Sequence, residues 1–554
     1  MKNLSADIVV IGGGSTGVGV LRDCAMRGYS AILVERADLA QGTSARFHGL
    51  LHSGGRYVVS DHESARECAE ENAIVSRIQP QAVELTGGLF VVTPQDDPAF
   101  GDKFLAGAQS AGVWVEEITP GTALRQEPRL NPGITRAFRV KDGTVDGWQL
   151  AWSAIASAKE HGAQVLTYHR VTQIHSADGA VNGVSATDLR TGEDVRIACS
   201  FVLNCAGPWA GDIARAAGCS PVEVVPGRGV MVAMAHRLVN TVVNRCIVPA
   251  DGDILVPVHT VCVIGTTDHK VSDPDHLEIP RNEVQQMLDA GEVLIPGFRQ
   301  ARALHAWAGA RPLIKDDRVS ASDTRHMSRG MAIIDHSGRD SLRGLLTIGG
   351  GKLTTYRLMA QHMVDFMEEQ TGNVHPCTTA DEMCPGGEKG HNYLITHRLK
   401  DREADRLESP IICECELMNR KMFTDLLKAQ PNSSMDDWRR QLRIGMGPCQ
   451  GGFCSARVAG IAHEESAVDA DRATGLLKLF LEHRWIGLWP LLHGDQVRQA
   501  ALDQWMLHGT LDLDHVPSSK GVEPEVTKPK EPLVVPASDE GKKSTTEVKE
   551  GNND

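Results

Sequence analysis

The chain has 554 residues, with 57 Lys plus Arg against 71 Asp plus Glu and a formal net charge of −14. At about 100–200 residues per domain the length implies several domains, or one large two-lobed body with additions. The hydrophobic fraction of 41% provides ample core for a globular chain. The acidic balance argues against sequence-independent nucleic-acid binding, which needs a basic surface. No apolar run reaches the roughly 18 residues of a membrane-spanning helix.

At the N-terminus, Asp7–Ile11 reads as a strand running into Gly12-Gly13-Gly14 rather than as a signal peptide, because Asp7 and three glycines interrupt any apolar helix. Further strands are expected at Ala31–Val34, Gly88–Val92, Val202–Asn204, Val261–Gly265 and Leu345–Ile348, with helices at Thr16–Arg27, Glu63–Ile78 and Thr355–Glu369. These place residues 1–384 in one α/β body. The polar stretch 385–410 reads as a linker, and 411–510 as a second unit with four cysteines and helices near 472–484 and 495–508. The tail 511–554, rich in Pro, Lys, Glu, Ser and Thr, has too little apolar surface to order itself. Thirteen cysteines scattered over this length are not a secreted disulfide framework, so the chain reads as cytosolic with reduced thiols.

Gly12, Gly14 and Gly17 follow the first strand in G-x-G-x-x-G spacing. The first permits a tight turn, the second lets a pyrophosphate approach the backbone, and the third lets the helix pack on the strand. The helix then presents its N-terminal amides to the phosphates. Glu35, with Arg36 beside it, ends the next strand eighteen residues on, where an acid accepts from an adenosine ribose. The loop alone does not separate FAD from NAD.

Arg46-Phe-His-Gly-Leu-Leu-His-Ser-Gly-Gly-Arg-Tyr57, Asp142-Gly-Thr-Val-Asp146, Val202-Leu-Asn-Cys-Ala-Gly-Pro-Trp209, Gly265-Thr-Thr-Asp268, Ala310-Arg-Pro-Leu313 and Gly349-Gly-Gly-Lys-Leu-Thr-Thr-Tyr-Arg357 decide this by resemblance. Together they are similar to the FAD-dependent glycerol-3-phosphate dehydrogenases, in their anaerobic branch. The resemblance implies an FAD-binding Rossmann-like domain interleaved with an antiparallel-sheet substrate domain, as in amino-acid oxidases. It also implies oxidation of sn-glycerol 3-phosphate to dihydroxyacetone phosphate by hydride transfer to FAD, which carries the redox chemistry.

A phosphate dianion calls for forked cationic donors, and the matching positions are Arg56, Tyr57, Arg311 and Arg329, with Arg311 nearer the reacting C2 oxygen. Lys352, His52 and His48 are the candidates for the base, and spacing does not choose among them. By the same resemblance Gly13, Thr43, Ser44, Gly350, Gly351, Lys352, Leu353 and Thr354 contact the flavin nucleotide. The relatives' His-Gly-Gly-Leu-Arg-Tyr is here His52-Ser-Gly-Gly-Arg-Tyr57, and Arg228 falls where the family has a basic residue of no firm role.

Cys413-Glu-Cys415 and Cys449-Gln-Gly-Gly-Phe-Cys454 put four thiols in two close pairs, which can hold a [2Fe–2S] cluster or a zinc ion. Zinc ribbons favour two C-x-x-C knuckles, so the spacing favours iron–sulfur and resembles the bacterioferritin-associated-ferredoxin-like module. Cys377 and Cys384 read as structural, and the other seven cysteines as small apolar residues. The resemblance implies a peripheral component that passes electrons to a second flavoprotein subunit, to a membrane-docked iron–sulfur subunit, and finally to a quinone, at the inner face of the cytoplasmic membrane. Trp485–Leu492 is either a docking patch or part of the small domain's core. Two other readings fit the same fold: an amino-acid or 2-hydroxy-acid dehydrogenase, and a non-enzymatic electron-transfer or iron-handling protein.

Overall fold

The computed structural model describes residues 2–220, 222–314, 330–390, 395–404, 409–431, 433–513 and 515. Arg329 and nearly all of the tail lie outside the described residues.

The first layer is a six-stranded sheet in the order Gln164–Leu166, Ala31–Val34, Ile8–Ile11, Phe201–Asn204, Leu345–Gly350, Met331–Asp335. The first five strands are parallel and the last antiparallel. Buried parallel strands read as unbroken apolar runs because both faces are covered. Ile8 and Val10 pack against the helices Ser15–Met26, Gly147–Glu160 and Tyr356–Thr371. Val9 and Ile11 pack on the opposite side against a four-stranded sheet built from Lys2–Ser5 and residues 169–198.

The second lobe is a nine-stranded, mostly antiparallel sheet whose long central pair is Val224–Met234 and Ala303–Ile314. Period-two alternation divides its faces. Val230, Val232 and Met234 meet the helix Arg281–Leu294, whereas Met231 and Ala233 face the other way with Val261 and Val263. Its strands come from residues 88–140 and 224–314, between strands of the first sheet, so the two lobes interleave along the chain.

Residues 411–488 form a hairpin and four helices around Phe423, Trp438 and Phe480. The helix Ala470–Leu488 lies on the large sheet, and Trp485, Leu488 and Leu491 are buried, so the 485–492 segment belongs to the core. The helix Gln496–Gln504 follows, continued by one π-turn at Trp505–Gly509. Among the described residues no helix is long and apolar enough to cross a membrane.

Candidate active site

Gly12 takes φ +109°, and a Cβ at Gly17 would lie 1.9 Å from the Gly12 carbonyl oxygen, so the turn and the helix start accept no side chain at these positions. Gly14 caps the helix Ser15–Met26 without a side-chain acceptor, which leaves the N-terminal amides directed outward. The Ser15 amide donates to Ser44 Oγ at 2.8 Å, so the predicted Ser44 sits at the mouth of that helix. Thr43 donates to the Ala310 carbonyl and ties the same strap to the large sheet. Glu35 ends its strand as predicted, where its carboxylate accepts from the Gly13 amide at 2.6 Å and the Ala37 amide at 2.9 Å. Arg36 pairs with Asp275 and stacks over Trp209 at 4.3 Å. A glycine turn, a helix whose cap residue brings no side-chain acceptor and an acid at the next strand end together fit a dinucleotide.

Gly350 and Gly351 both have positive φ, and a single 3₁₀ turn at Leu353–Thr355 leads into the helix Tyr356–Thr371. This turn brings Lys352 to the loop from Arg46 to Tyr57. Lys352 Nζ lies 4.7 Å from the centre of the Tyr57 ring and donates to Ser64 Oγ at 2.9 Å. His52 is 5.4 Å from the Tyr57 ring and 6.4 Å from the His48 ring, and its amide donates to Thr354 Oγ1. Three of the predicted residues, His52, Tyr57 and Lys352, therefore form one cluster.

Arg311 stands on the large sheet, beside the turn that approaches His48. It donates to Asp268 at 2.6 Å, to Thr266 and to the Thr267 carbonyl, while a Cβ at the adjoining Gly265 would lie 3.7 Å from His48 Cβ. Arg56 is engaged differently: Nη2 donates to both Asp253 oxygens at 2.8 Å and Nη1 to Asn244 at 3.0 Å. Asn244 donates in turn to Asp142, whose other oxygen accepts from the Ser53 amide. Burial pushes the Asp142 carboxyl up. This buried bracing of the loop involves Asp142, Asn244 and Asp253, whose part is not legible in local sequence. Arg228 is buried against Glu283 and serves the sheet.

The four predicted cysteines converge. Cys454 lies within hydrogen-bonding reach of Cys413 and of Cys449, and Cys449 of Cys415. Gly447 lets the second loop cross the first, since a Cβ there would lie 2.3 Å from Cys415 Cβ. Backbone amides of Gly451 and Phe453 point at the Cys449 sulfur, and those of Glu416 and Gly445 at Cys413. Hydrogen bonding, from Cys454 first, draws the Cys449 thiol down to about 5 against the burial that would raise it. Burial instead pushes Cys68, Cys199, Cys246 and Cys262 up to about 12. Burial also pushes Cys415 up to about 11, and its neighbours Cys413 and Cys449 push Cys454 up, so what sets the four apart from the other cysteines is their convergence and the amides aimed at Cys413 and Cys449. A further group, Cys219, His336 and Asp340, is drawn together by a hydrogen bond between His336 and Asp340, and the second His336 nitrogen is held by Thr347.

Residues 7–363 match the family model described as FAD dependent oxidoreductase. The chain is 39% identical over 531 residues to the A subunit of the anaerobic glycerol-3-phosphate dehydrogenase of Escherichia coli, covering 92% of this chain and 97% of that one. It is also 39% identical over 545 residues to the A1 subunit of the Haloferax volcanii enzyme, covering 93% and 92%. Among solved structures, the glycerol-3-phosphate dehydrogenase of Bacillus halodurans complexed with FAD superposes with a TM-score of 0.63 at 22% identity, over 88% of this chain and 96% of that one. The chain belongs to the FAD-dependent glycerol-3-phosphate dehydrogenase family and, within it, to the group of anaerobic A subunits.

Proposed function

We propose that this chain oxidises sn-glycerol 3-phosphate to dihydroxyacetone phosphate and passes the electrons through a [2Fe–2S] cluster at Cys413, Cys415, Cys449 and Cys454 to partner subunits and a quinone. The observation that carries the first half is the cluster of His52, Tyr57 and Lys352, with Arg311 held on the large sheet by Thr266 and Asp268. Gly12 to Gly17, Glu35, Ser44 and Gly350 to Thr354 would hold FAD, which supplies a two-electron acceptor for the C2 carbon.

The protein residues then have separate tasks. Lys352 or His52 takes the proton of the C2 hydroxyl. Arg311, fixed by Asp268, offers positive charge to the oxygen as it gains alkoxide character. The phosphate falls to Tyr57, Arg329 and Arg56, and Arg56 must be shared with Asp253. Residues 1–384 would do this chemistry, and 411–510 would carry the electrons onward. The converging sulfurs, their amide donors and the low Cys449 thiol support the cluster. The relatives are named as one lettered subunit of an enzyme, which supports assembly with further subunits, and on this reading it is those subunits that would bring the chain to the membrane.

Anaerobic absorbance spectra test the reading. Glycerol 3-phosphate should bleach the flavin band, and glycerol or L-amino acids should not. Lys352→Met should lower the bleaching rate at least 100-fold, as expected for a lost proton acceptor. An FAD-loaded wild-type protein that glycerol 3-phosphate leaves coloured would refute it.

A further inference from the structure

A cavity of about 1720 Å³ lies between the four-cysteine unit and the flavin-binding body. Its floor is the apolar face of the large sheet at Ala233, Val261 and Val263, and its rim includes His48 on one side and Met446 and Gln450 on the other. Gly12, Gly14, Ser44 and Lys352 do not line it, and the cavity borders the glycine cradle at Arg36, Ala40 and Ala45.

The charges in this cavity are unbalanced. Seven arginines line it against four carboxylates, in a chain whose net charge is −14. Three of the arginines are neutralised locally: Arg36 by Asp275, Arg440 by Asp38 and Asp437, and Arg443 by Asp146 and Glu416. Two are not. Arg46 makes no side-chain hydrogen bond or ion pair among the described residues, although protein surrounds it and its side chain is open to the cavity. Arg439 comes only within 3.9 Å of Asp436, and its Nε has no partner among the described residues. Burial and the neighbouring Arg440 and Arg36 lower the Arg46 pKa, and burial likewise lowers that of Arg439. Positive charge held this way in a recess focuses its field on any anion that enters. A guanidinium presents paired donors matched to phosphate oxygens.

We infer that this cavity is a binding chamber for a phosphate-ester dianion, built jointly by the two units, with Arg46 of the flavin-binding body and Arg439 of the four-cysteine unit as its anion donors. The phosphate ester is either glycerol 3-phosphate on its way to the flavin, which rests on the proposed function, or a separate ligand that occupies the chamber independently.

The test uses the full-length, FAD-loaded protein and its Arg46→Gln and Arg439→Gln variants, checked for FAD content and melting temperature. Calorimetric titration with inorganic phosphate should show binding to wild type and at least tenfold weaker binding to each variant. If the substrate passes through the chamber, the glycerol 3-phosphate concentration for half-maximal bleaching rate rises about tenfold in both variants, and its dependence on ionic strength flattens. If the ligand is separate, phosphate affinity falls while those two quantities stay put. Unchanged phosphate affinity in both variants, or no phosphate binding to wild type, overturns the inference. Loss of FAD from the folded Arg439→Gln protein also overturns it, because the cavity would then belong to the dinucleotide. Should Arg46→Gln fail to fold, Arg439→Gln decides alone. A wild-type protein that binds phosphate but is not bleached by glycerol 3-phosphate would defeat the proposed function and leave the chamber standing.

Discussion

Arg443 and Asp146 join the four-cysteine unit to the flavin-binding body: Arg443 Nη1 donates to Asp146 Oδ2 at 3.0 Å across 297 positions of sequence. The other Asp146 oxygen caps the helix Gly147–Glu160 by accepting from the Trp148 and Gln149 amides. Arg443 Nε donates to Glu416, the residue after Cys415, so one guanidinium ties a cysteine knuckle to a helix start in the other unit. All three side chains are buried.

Removing Arg443 takes the one guanidinium from buried Asp146 and leaves Glu416 to Arg398 and His259, so the cost is about 3 kcal/mol, the lower end for breaking a buried pair from one side. Arg443→Leu is expected to lower full-chain stability by that amount in urea melts. Arg443→Lys should recover less than half, since an ammonium cannot reach both carboxylates with a planar fork. A loss of under about 1 kcal/mol in Arg443→Leu would show that the pair does not hold the units together.

The glycine cradle makes a graded prediction. At Gly14 a Cβ would meet only Ser44 Oγ, at 3.1 Å, whereas at Gly17 it would run into backbone at 1.9 Å. Gly14→Ala should therefore fold but bind FAD at least tenfold more weakly, about 1.4 kcal/mol. Gly17→Ala should fail to retain FAD at all. Flavin absorbance per chain after gel filtration checks both, and equal FAD retention by the two variants would contradict the geometry.

What is legible in the sequence is local in sequence. Gly12 to Glu35 is one strand–loop–helix–strand unit whose spacing alone specifies its turn, and the two cysteine pairs announce themselves by proximity. Residues whose partners lie far along the chain are not legible. Arg56 is held by Asp253, 197 positions on, which no local pattern signals. The apolar, aromatic run 485–492 offers the same residues whether it docks a partner or fills a core, and only packing against the large sheet places it inside. Thr43, a flavin contact by the family resemblance, also donates its hydroxyl to the Ala310 carbonyl, a link across the two lobes that local sequence does not signal.

The cysteine centre is decided by metal analysis. If Cys413, Cys415, Cys449 and Cys454 hold a [2Fe–2S] cluster, anaerobically purified protein carries about two irons per chain and an EPR signal on reduction. Cys449→Ser, which removes a thiol that hydrogen bonds hold low, should abolish both while FAD content is kept. About one zinc per chain in place of iron would assign the site to zinc and remove the electron path.

Glu368 predicts a pH signature for the body. Its carboxylate accepts from Arg27 Nη1 at 2.7 Å, from the Tyr29 hydroxyl at 2.9 Å and from the His375 amide at 3.0 Å, and so pins the helix Tyr356–Thr371 to the end of the phosphate-loop helix. Burial alone would raise this carboxyl, but the donors from His375, Tyr29 and Arg27 together hold it below its usual value. A depressed folded-state pKa means the unfolded chain binds the proton first as pH falls. The stabilisation is therefore present above the unfolded carboxyl pKa of about 4.3 and is lost as pH drops through the folded value. Glu368→Gln should cost about 3 kcal/mol near pH 6, the lower end for a buried pair because Arg27 keeps Asp23 and Asp365. Urea melts of wild type and variant from about pH 6 to about pH 3.5 should show this gap narrowing as the unfolded wild-type chain takes up the proton that the folded Glu368 refuses. A gap that stays constant across that range would mean the ionised form of Glu368 is not what holds the two helices together.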